Sequence, residues 1–298
     1  MTRLPPQLLR LYVRYAPGTA YKVALVDGVL DERLRTEPRR FATRVSWGAI
    51  LQGNTEDLID RHIYQFGLWQ PNLTRWISAT LRPGDVFVDV GANIGYFSLL
   101  ASRLVGPDGA VIAIEASPRT FELLADNVTR NSARNVRLVN LAASDVRGVA
   151  PLYEGPASNR GRTTTQQVGG PPTATVPSAP LEEILTAAEL HGARVIKIDV
   201  EGGEIPVLRG LVSGLGEART DLEVVVEIVP DLLARYSEGP NELVAILGAA
   251  GYRRVSKLTV DYRAWTYVAE QLSRGPEPWH GSFDPEADYI FGREAVAP

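Results

Sequence analysis

The chain contains no cysteine and one methionine in 298 residues. Disulfides, thiolate nucleophiles and cysteine zinc sites are therefore excluded. Histidine is scarce: His62, His191 and His280 are the only ones. Carboxylates are left as the main source of bases or hard-metal ligands. No apolar run approaches the ~18 residues of a membrane span, and the first residues lack the unbroken apolar stretch of a secretory signal. No stable membrane insertion is expected, and the cytoplasm is the expected compartment. There is no long basic run and the formal net charge is −4, which disfavours nucleic acid as a partner. What is present, 45% hydrophobic and 22% charged residues, suits one large α/β core with appendages.

The stretch that organises the chain is DVFVDVGANIG, Asp85 to Gly95. Val86 to Val90 reads as a strand buried on both faces, the parallel-sheet kind. After the turn, Phe97, Leu100, Ala101 and Leu104 follow the spacing of a one-faced helix. Strand, glycine turn and helix together let a ligand approach the backbone in front of a helix N-terminus. A dinucleotide site wants G-x-G-x-x-G, but Asn93 stands between Gly91 and Gly95, and Asp89 adds a carboxylate at the strand end. An acid there repels phosphate and suits a cationic ligand. The D-x-G-x-N-x-G pattern resembles the first motif of class I S-adenosylmethionine-dependent methyltransferases.

Before this unit, residues 1–79 read as an N-terminal helical extension or cap. It has a short helix at Leu8 to Tyr12, a strand near Phe41 to Trp47, and helices at Asp57 to Phe66 and Asn72 to Leu81. Trp69 and Trp76 read as core packing, with the alternative that Tyr64, Trp69 and Gln70 line a pocket mouth. Residues 80–298 read as the core. Ala110 to Ile114 is a second buried strand ending in Glu115, about 20 residues beyond the turn and placed for ribose hydroxyls. Val136 to Leu141 is a third strand, and the small residues after it, Ala142 and Ala143, leave room for a flat adenine. Val149 to Tyr153 reads as a short strand. Residues 155–180, rich in Gly, Pro, Ser and Thr, read as a loop that is functional or disordered, with Arg160, Arg162 and Gln166 as possible substrate contacts. Strands follow at Arg194 to Val200, Glu223 to Val229 and Tyr252 to Leu258, with Asp288 to Arg293 as an antiparallel partner. An aromatic insert, residues 259–286, carries Tyr262, Trp265, Tyr267, Trp279, His280 and Phe283. The alternation implies a doubly wound, mostly parallel sheet.

Ligands of such sheets bind at the carboxyl ends of the strands. Those ends carry Asp89, Glu115, Asp145, Asp199, Glu201 and Glu227, a rim that suits a cationic cofactor or a divalent metal. Lys197 and Asp199, two apart on one strand, share a face.

Four segments in register, VDVGANIGYFSLLAS, IEASPRTFELLADN, LVNLAASD and IKIDVEGGEIPVLRG, resemble the FkbM family of methyltransferases from about Asp57 to Ile228. The resemblance implies a class I methyltransferase fold, Rossmann-like, of seven strands with the last antiparallel. It implies S-adenosyl-L-methionine as donor and O-methylation of hydroxyls on sugars, glycans or polyketide-type natural products. On its motifs, Asp89, Gly91, Asn93, Gly95 and Glu115 would bind the cofactor, and Asp199 and Glu201 would lie at the reaction centre. Two positions depart from the pattern. The family often has Glu before Pro where this chain has Gln70-Pro71, and Glu-x-His-Pro where it has Glu227-Ile-Val229-Pro230.

Methyl transfer to oxygen needs alignment of acceptor, methyl and sulfur, and help in removing the alcohol proton. The candidates are Asp199, Glu201, Glu227 and His280, with Asp199 or Glu227 preferred as base. A Mg²⁺ shared between acids is the alternative, and paired acids, Asp199 among them, can equally hold the donor amino group. Ala143 is a cofactor candidate at the adenine end. His191 reads as a cap and His62 as structural. Two rival functions are a nucleotide-dependent oxidoreductase on the same fold and a non-catalytic module that keeps the donor pocket. The partner expected is a small-molecule or glycan acceptor with a free hydroxyl.

Overall fold

The computed structural model describes residues 4–19, 21–167, 169–234, 239–269 and 274–293. In chain order the strands are β1 (Arg40–Arg44), β2 (Ile50–Asn54), β3 (Val86–Val90), β4 (Ala110–Ile114), β5 (Val136–Val139), β6 (Ala142–Ser144), β7 (Gly148–Leu152), β8 (Ala174–Pro180), β9 (Ala193–Ile198), β10 (Glu223–Ile228), β11 (Arg254–Thr259), β12 (Glu277–Pro278) and β13 (Ala287–Gly292). The main sheet has the order β12-β11-β13-β10-β9-β3-β4-β5. β5, β4, β3, β9 and β10 run parallel, and β13 is antiparallel to both β10 and β11. Apart from the two residues of β12, this is the doubly wound, mostly parallel sheet that the alternation of strands and helices implies, with the seven strands and antiparallel last strand that the family resemblance implies.

The central strands are apolar because both their faces are covered. Phe87, Val111, Val195 and Val225 point into one cluster, with Leu100, Ile63 and Leu73 from helices of that face. Their chain neighbours Val88, Ile112, Ile196 and Val224 point into the other, with Leu208, Leu243 and Leu247. This is the period of two expected of a strand packed on both sides. Helices begin where sequence signals place them. Asp57 caps Leu58–Phe66 by accepting from the Asp60 amide, and Ser117 caps Pro118–Arg130 by accepting from Thr120. Among the described residues no helix is long and apolar enough to cross a membrane.

Three sequence expectations need correction here. The third strand ends at Val139 rather than Leu141, because Ala142 to Ser144 leaves the main sheet to pair with β8. Residues 155–180 are not all loop: Ala174–Pro180 is the middle strand of a three-stranded sheet, order β6-β8-β7. Pro177 is tolerated there because it faces β7 at Val149, while β6 pairs only from Ser178 onward, so its missing N–H costs no ladder bond on that side. In the segment before residue 80, the strand expected near Phe41 to Trp47 is β1, Arg40–Arg44, and a second strand, β2, not expected from the sequence, pairs with it in an antiparallel hairpin.

Candidate functional site

The turn after β3 is held open by backbone geometry. Gly91 has φ +81°, and a Cβ there would lie 1.8 Å from the Asp199 carbonyl oxygen. Glycine is therefore required where the ends of β3 and β9 converge, an approach sealed by Asp199 N–H donating to Val90 O at 3.0 Å. Asn93 also has positive φ, +50°, and its amide donates to Glu115 Oε2 at 2.9 Å. Ser117 N–H donates to Glu115 Oε1, also at 2.9 Å. The acid at the end of β4 is thus locked to the turn after β3. Burial pushes Glu115 up to about 7, although these two amides favour its charged form.

These elements form the floor of a cavity of about 270 Å³. On the β4–β5 side the wall is Glu115, Leu141, Ala142 and Ala143. On the β9–β10 side it is Lys197, Asp199, Glu201, Glu227 and Glu286, with Trp69, Gln70 and Tyr262 beside them. Residues Asn159 to Thr165 complete the enclosure. That segment is tied down from outside. Arg160 pairs with Asp60, its amide donates to Asp57 Oδ2 at 2.6 Å, and Leu58 N–H donates to Ser158 O at 3.0 Å.

The β9–β10 side is strongly acidic. Lys197 is buried and donates to Asp199 Oδ2 at 2.9 Å, with Asp89 Oδ1 at 3.7 Å. Burial opposes its charge, but Asp199 and Asp89 outweigh that and hold it protonated. Glu201 is pushed up to about 8 by burial and then by Asp199 and Glu204. Glu227, fully enclosed, is raised well above the ordinary carboxylate range by burial, with Asp199 and Asp288 adding to it. Asp288 is raised to about 7, by burial first and then by Asp199. Carboxylate oxygens of Asp199, Glu201 and Glu227 lie within 4.8 Å of one another. Such a wall stabilises positive charge, and without it the acids share protons.

Of the sequence candidates, Gly91, Asn93, Glu115, Ala143, Asp199, Glu201 and Glu227 all line this cavity. Others do not. Asp89 lies beneath the floor, where Ser98 donates to its Oδ2 at 2.6 Å and Lys197 faces Oδ1. It supports Lys197 rather than touching the cavity, because on β3 its side chain projects into the sheet's packed face. Gly95 is also absent from the wall. With φ +90° it starts the helix Tyr96–Val105, where a Cβ would meet Leu124 at 2.6 Å. Asp145 and His280 are exposed away from the cavity. His191 faces Glu217 at 3.1 Å. His62 is buried, bonded to Leu58 O and Tyr262 O, with its pKa lowered by burial.

The aromatic insert contributes less than its composition suggests. Tyr262 stacks on Trp69 at 5.1 Å and 16°, forming part of the wall. Trp265 is about half exposed and off the cavity, and Trp279 packs on Phe283 at 5.0 Å. Of the polar loop, Arg160 to Thr165 reach the wall, but Gln166 does not. Sequence reasoning missed Glu286 and Asp288. Glu286 immediately precedes β13 and Asp288 is its second residue, and an antiparallel strand begins at the rim where its parallel neighbours end: Glu227 pairs with Asp288. The signal was available in the sequence E-A-D that leads into the predicted last strand at Asp288. The two departures from the FkbM pattern lie side by side, Gln70 Nε2 being 3.5 Å from Glu227 Oε1, with Val229 on the same wall.

Comparison with known proteins places these residues in a family. The family described as "Methyltransferase FkbM domain" matches residues 89–254. The chain is 30% identical over 159 residues to the hexuronic acid methyltransferase AglP of Haloferax volcanii, covering 53% of this chain and 62% of that protein. It is 46% identical over 69 residues to the 31-O-demethyl-FK506 methyltransferase FkbM of Streptomyces tacrolimicus, covering 23% and 26%. In both cases it spans less than two thirds of the relative's length. Among solved structures, a methyltransferase FkbM from Methylobacillus flagellatus KT aligns with TM-score 0.42 and 14% identity, over 91% of this chain and 60% of that one. The fold rests on the strand order above rather than on that likeness.

Proposed function

The chain belongs to the FkbM methyltransferase family, and we propose that it transfers a methyl group from S-adenosyl-L-methionine to a hydroxyl of a sugar, glycan or polyketide-type acceptor. The observation that carries this reading is the single cavity joining Gly91, Asn93 and Glu115 to the acids Asp199, Glu201 and Glu227. The donor supplies a methyl group on a positively charged sulfur. The residues present fit it. Gly91 leaves room that a Cβ would fill, Ala143 keeps the β4–β5 side shallow, and Glu115 offers its remaining lone pairs to ribose hydroxyls. The acid wall suits the donor's two positive charges.

On this reading Asp199 or Glu227 takes the acceptor proton, with Glu201 beside them. Glu227, which burial raises well above the ordinary carboxylate range, is better matched to that task than an ordinary carboxyl. Trp69 and Tyr262 give a flat apolar wall with polar atoms around it, which is how ligand pockets are built. A divalent cation is the second reading, favoured by the three carboxylates whose oxygens approach within 4.8 Å. Hard cations prefer such oxygen ligands. Loss of turnover in chelator, restored by Mg²⁺, would select it.

Glu115→Ala is expected to weaken donor binding by ~1–3 kcal/mol, the range for hydrogen bonds to a charged group, measured by calorimetry. Unchanged affinity would remove Glu115 from the ribose role. A pH dependence follows from Glu115 near 7 and Glu201 near 8. Their folded pKa values are raised, so the ligand-free fold is most favoured with these groups protonated and loses that contribution as pH rises through about 7 to 8. A cationic donor favours the ionised forms. Donor affinity should therefore rise between pH 6 and pH 8, by up to ~10-fold per pH unit for each proton released. Calorimetry in buffers of different ionisation heat reads both quantities, and a flat affinity over that interval would contradict the assignment. Acceptor class is tested by incubating protein, donor and a panel of neutral sugars, uronic acids and polyketide glycosides, and looking for a methyl mass gain.

A further inference from the structure

The N-terminal helix Pro6–Tyr15 is apolar on two faces. Pro6, Leu9 and Val13 are buried, and Leu9 and Val13 pack in a cluster with Leu30, Leu34 and Tyr64. The opposite side carries Leu8, Leu11 and Tyr15, which are 51%, 46% and 66% exposed, with Leu4 just before the helix at 59%. Positions 4, 8, 11 and 15 recur at intervals of three and four, so they make one continuous stripe along the helix. An exposed leucine is ordinary; four large apolar residues aligned on one face mark an interaction surface.

Charge says what that surface meets. Residues 1–47 hold nine Lys and Arg against four Asp and Glu, although the whole chain is −4. Lys22 is buried and donates to Ala16 O, and Arg10 and Arg14 are partly buried and donate to Tyr64 O and Arg44 O, so the charge open to a surface is that of the exposed arginines, Arg44 among them. Arg33 donates to Leu4 O at the head of the stripe, and Arg35 and Arg40 are exposed. A leucine and tyrosine stripe on a basic segment, in an otherwise acidic molecule, is the chemistry of a helix lying in the interface of an anionic bilayer. We propose that this N-terminal face adsorbs peripherally to anionic membrane surfaces. The helix it packs on, Leu58–Phe66, also carries Leu58 and Ile59 on the cavity wall.

The test uses the full chain and does not depend on what the cavity binds. In co-sedimentation with mixed phosphatidylcholine–phosphatidylglycerol vesicles at low salt, the protein should pellet. Binding should fall at least ~10-fold on pure phosphatidylcholine or in high salt, since each basic residue near an anionic surface contributes several-fold. The pair Leu8→Ser and Leu11→Ser should lose at least ~10-fold on the mixed vesicles, with melting temperature and donor affinity unchanged, because neither side chain is buried. Should that variant fold poorly, Arg35→Glu with Arg40→Glu makes the same prediction through charge alone. Absence of pelleting on mixed vesicles would overturn the proposal. So would equal binding by a folded variant. Concentration-dependent dimers in sedimentation that the leucine pair abolishes, with no vesicle binding, would assign the stripe to a second copy instead.

Discussion

Gly91→Ala is expected to cost roughly 3–5 kcal/mol of stability, the upper end for single substitutions, and to lower donor affinity by at least ~10²-fold through loss of the turn's geometry. Two effects combine. At φ +81° any L side chain is strained, and the new Cβ would sit 1.8 Å from the Asp199 carbonyl oxygen, which is backbone and has nowhere to go. The ends of β3 and β9 would have to part. That would break the Asp199 N–H to Val90 O bond and loosen the Gly91 and Ala92 amides from Ile114 O, each 2.9 Å away. The comparison is Gly28→Ala, in the helical segment Val26–Leu30, where a Cβ meets nothing within 4 Å. That change should be neutral or stabilising by up to ~1 kcal/mol. Thermal melts and donor titration of the two variants check this. A Gly91→Ala protein with normal melting temperature and donor affinity would mean that the turn does not hold the ligand.

Asp199→Asn should leave donor affinity within about tenfold and cut turnover by at least ~10²-fold, the low end for a positioned base. The isostere keeps volume and one acceptor for Lys197 Nζ, now 2.9 Å from Oδ2, but removes the charge. Lys197 then retains Asp89 at 3.7 Å as its remaining carboxylate, so the fold has support while the chemistry does not. Steady-state kinetics and calorimetry separate the cases. If the whole loss lies in donor binding, Asp199 holds the cofactor, and Glu227→Gln becomes the variant that must carry the turnover defect.

The central unit was legible because physics leaves it few alternatives. Asp85 to Gly95 combines a strand buried on both faces with glycines at the places where backbone must approach backbone, and both demands are local. Glu115 was legible for the same reason, a strand end at a fixed distance beyond the turn. What escaped were relations between distant segments. Glu286 and Asp288 join the acid rim only because β13 runs antiparallel, which reverses which end faces the site. β8 was hidden by Pro177 and Pro180, which are tolerated through a register with β6 and β7 that no local pattern encodes. Asp89 looked like a ligand residue by its place in the motif, but strand periodicity turns it into the packed face, beside Lys197 and Ser98. The stacking of Trp69 on Tyr262 joins segments almost 200 residues apart in the chain. Trp265, equally prominent in the sequence, sits half exposed outside the site.

What the cavity binds is tested by calorimetric titration of the intact protein with S-adenosyl-L-methionine at pH 8, with a reduced nicotinamide dinucleotide titrated in parallel. The expected result is saturable one-to-one binding of the methionine compound, weakened by Glu115→Ala, and no saturable heat from the dinucleotide. Saturation by the dinucleotide with none by S-adenosyl-L-methionine would contradict it.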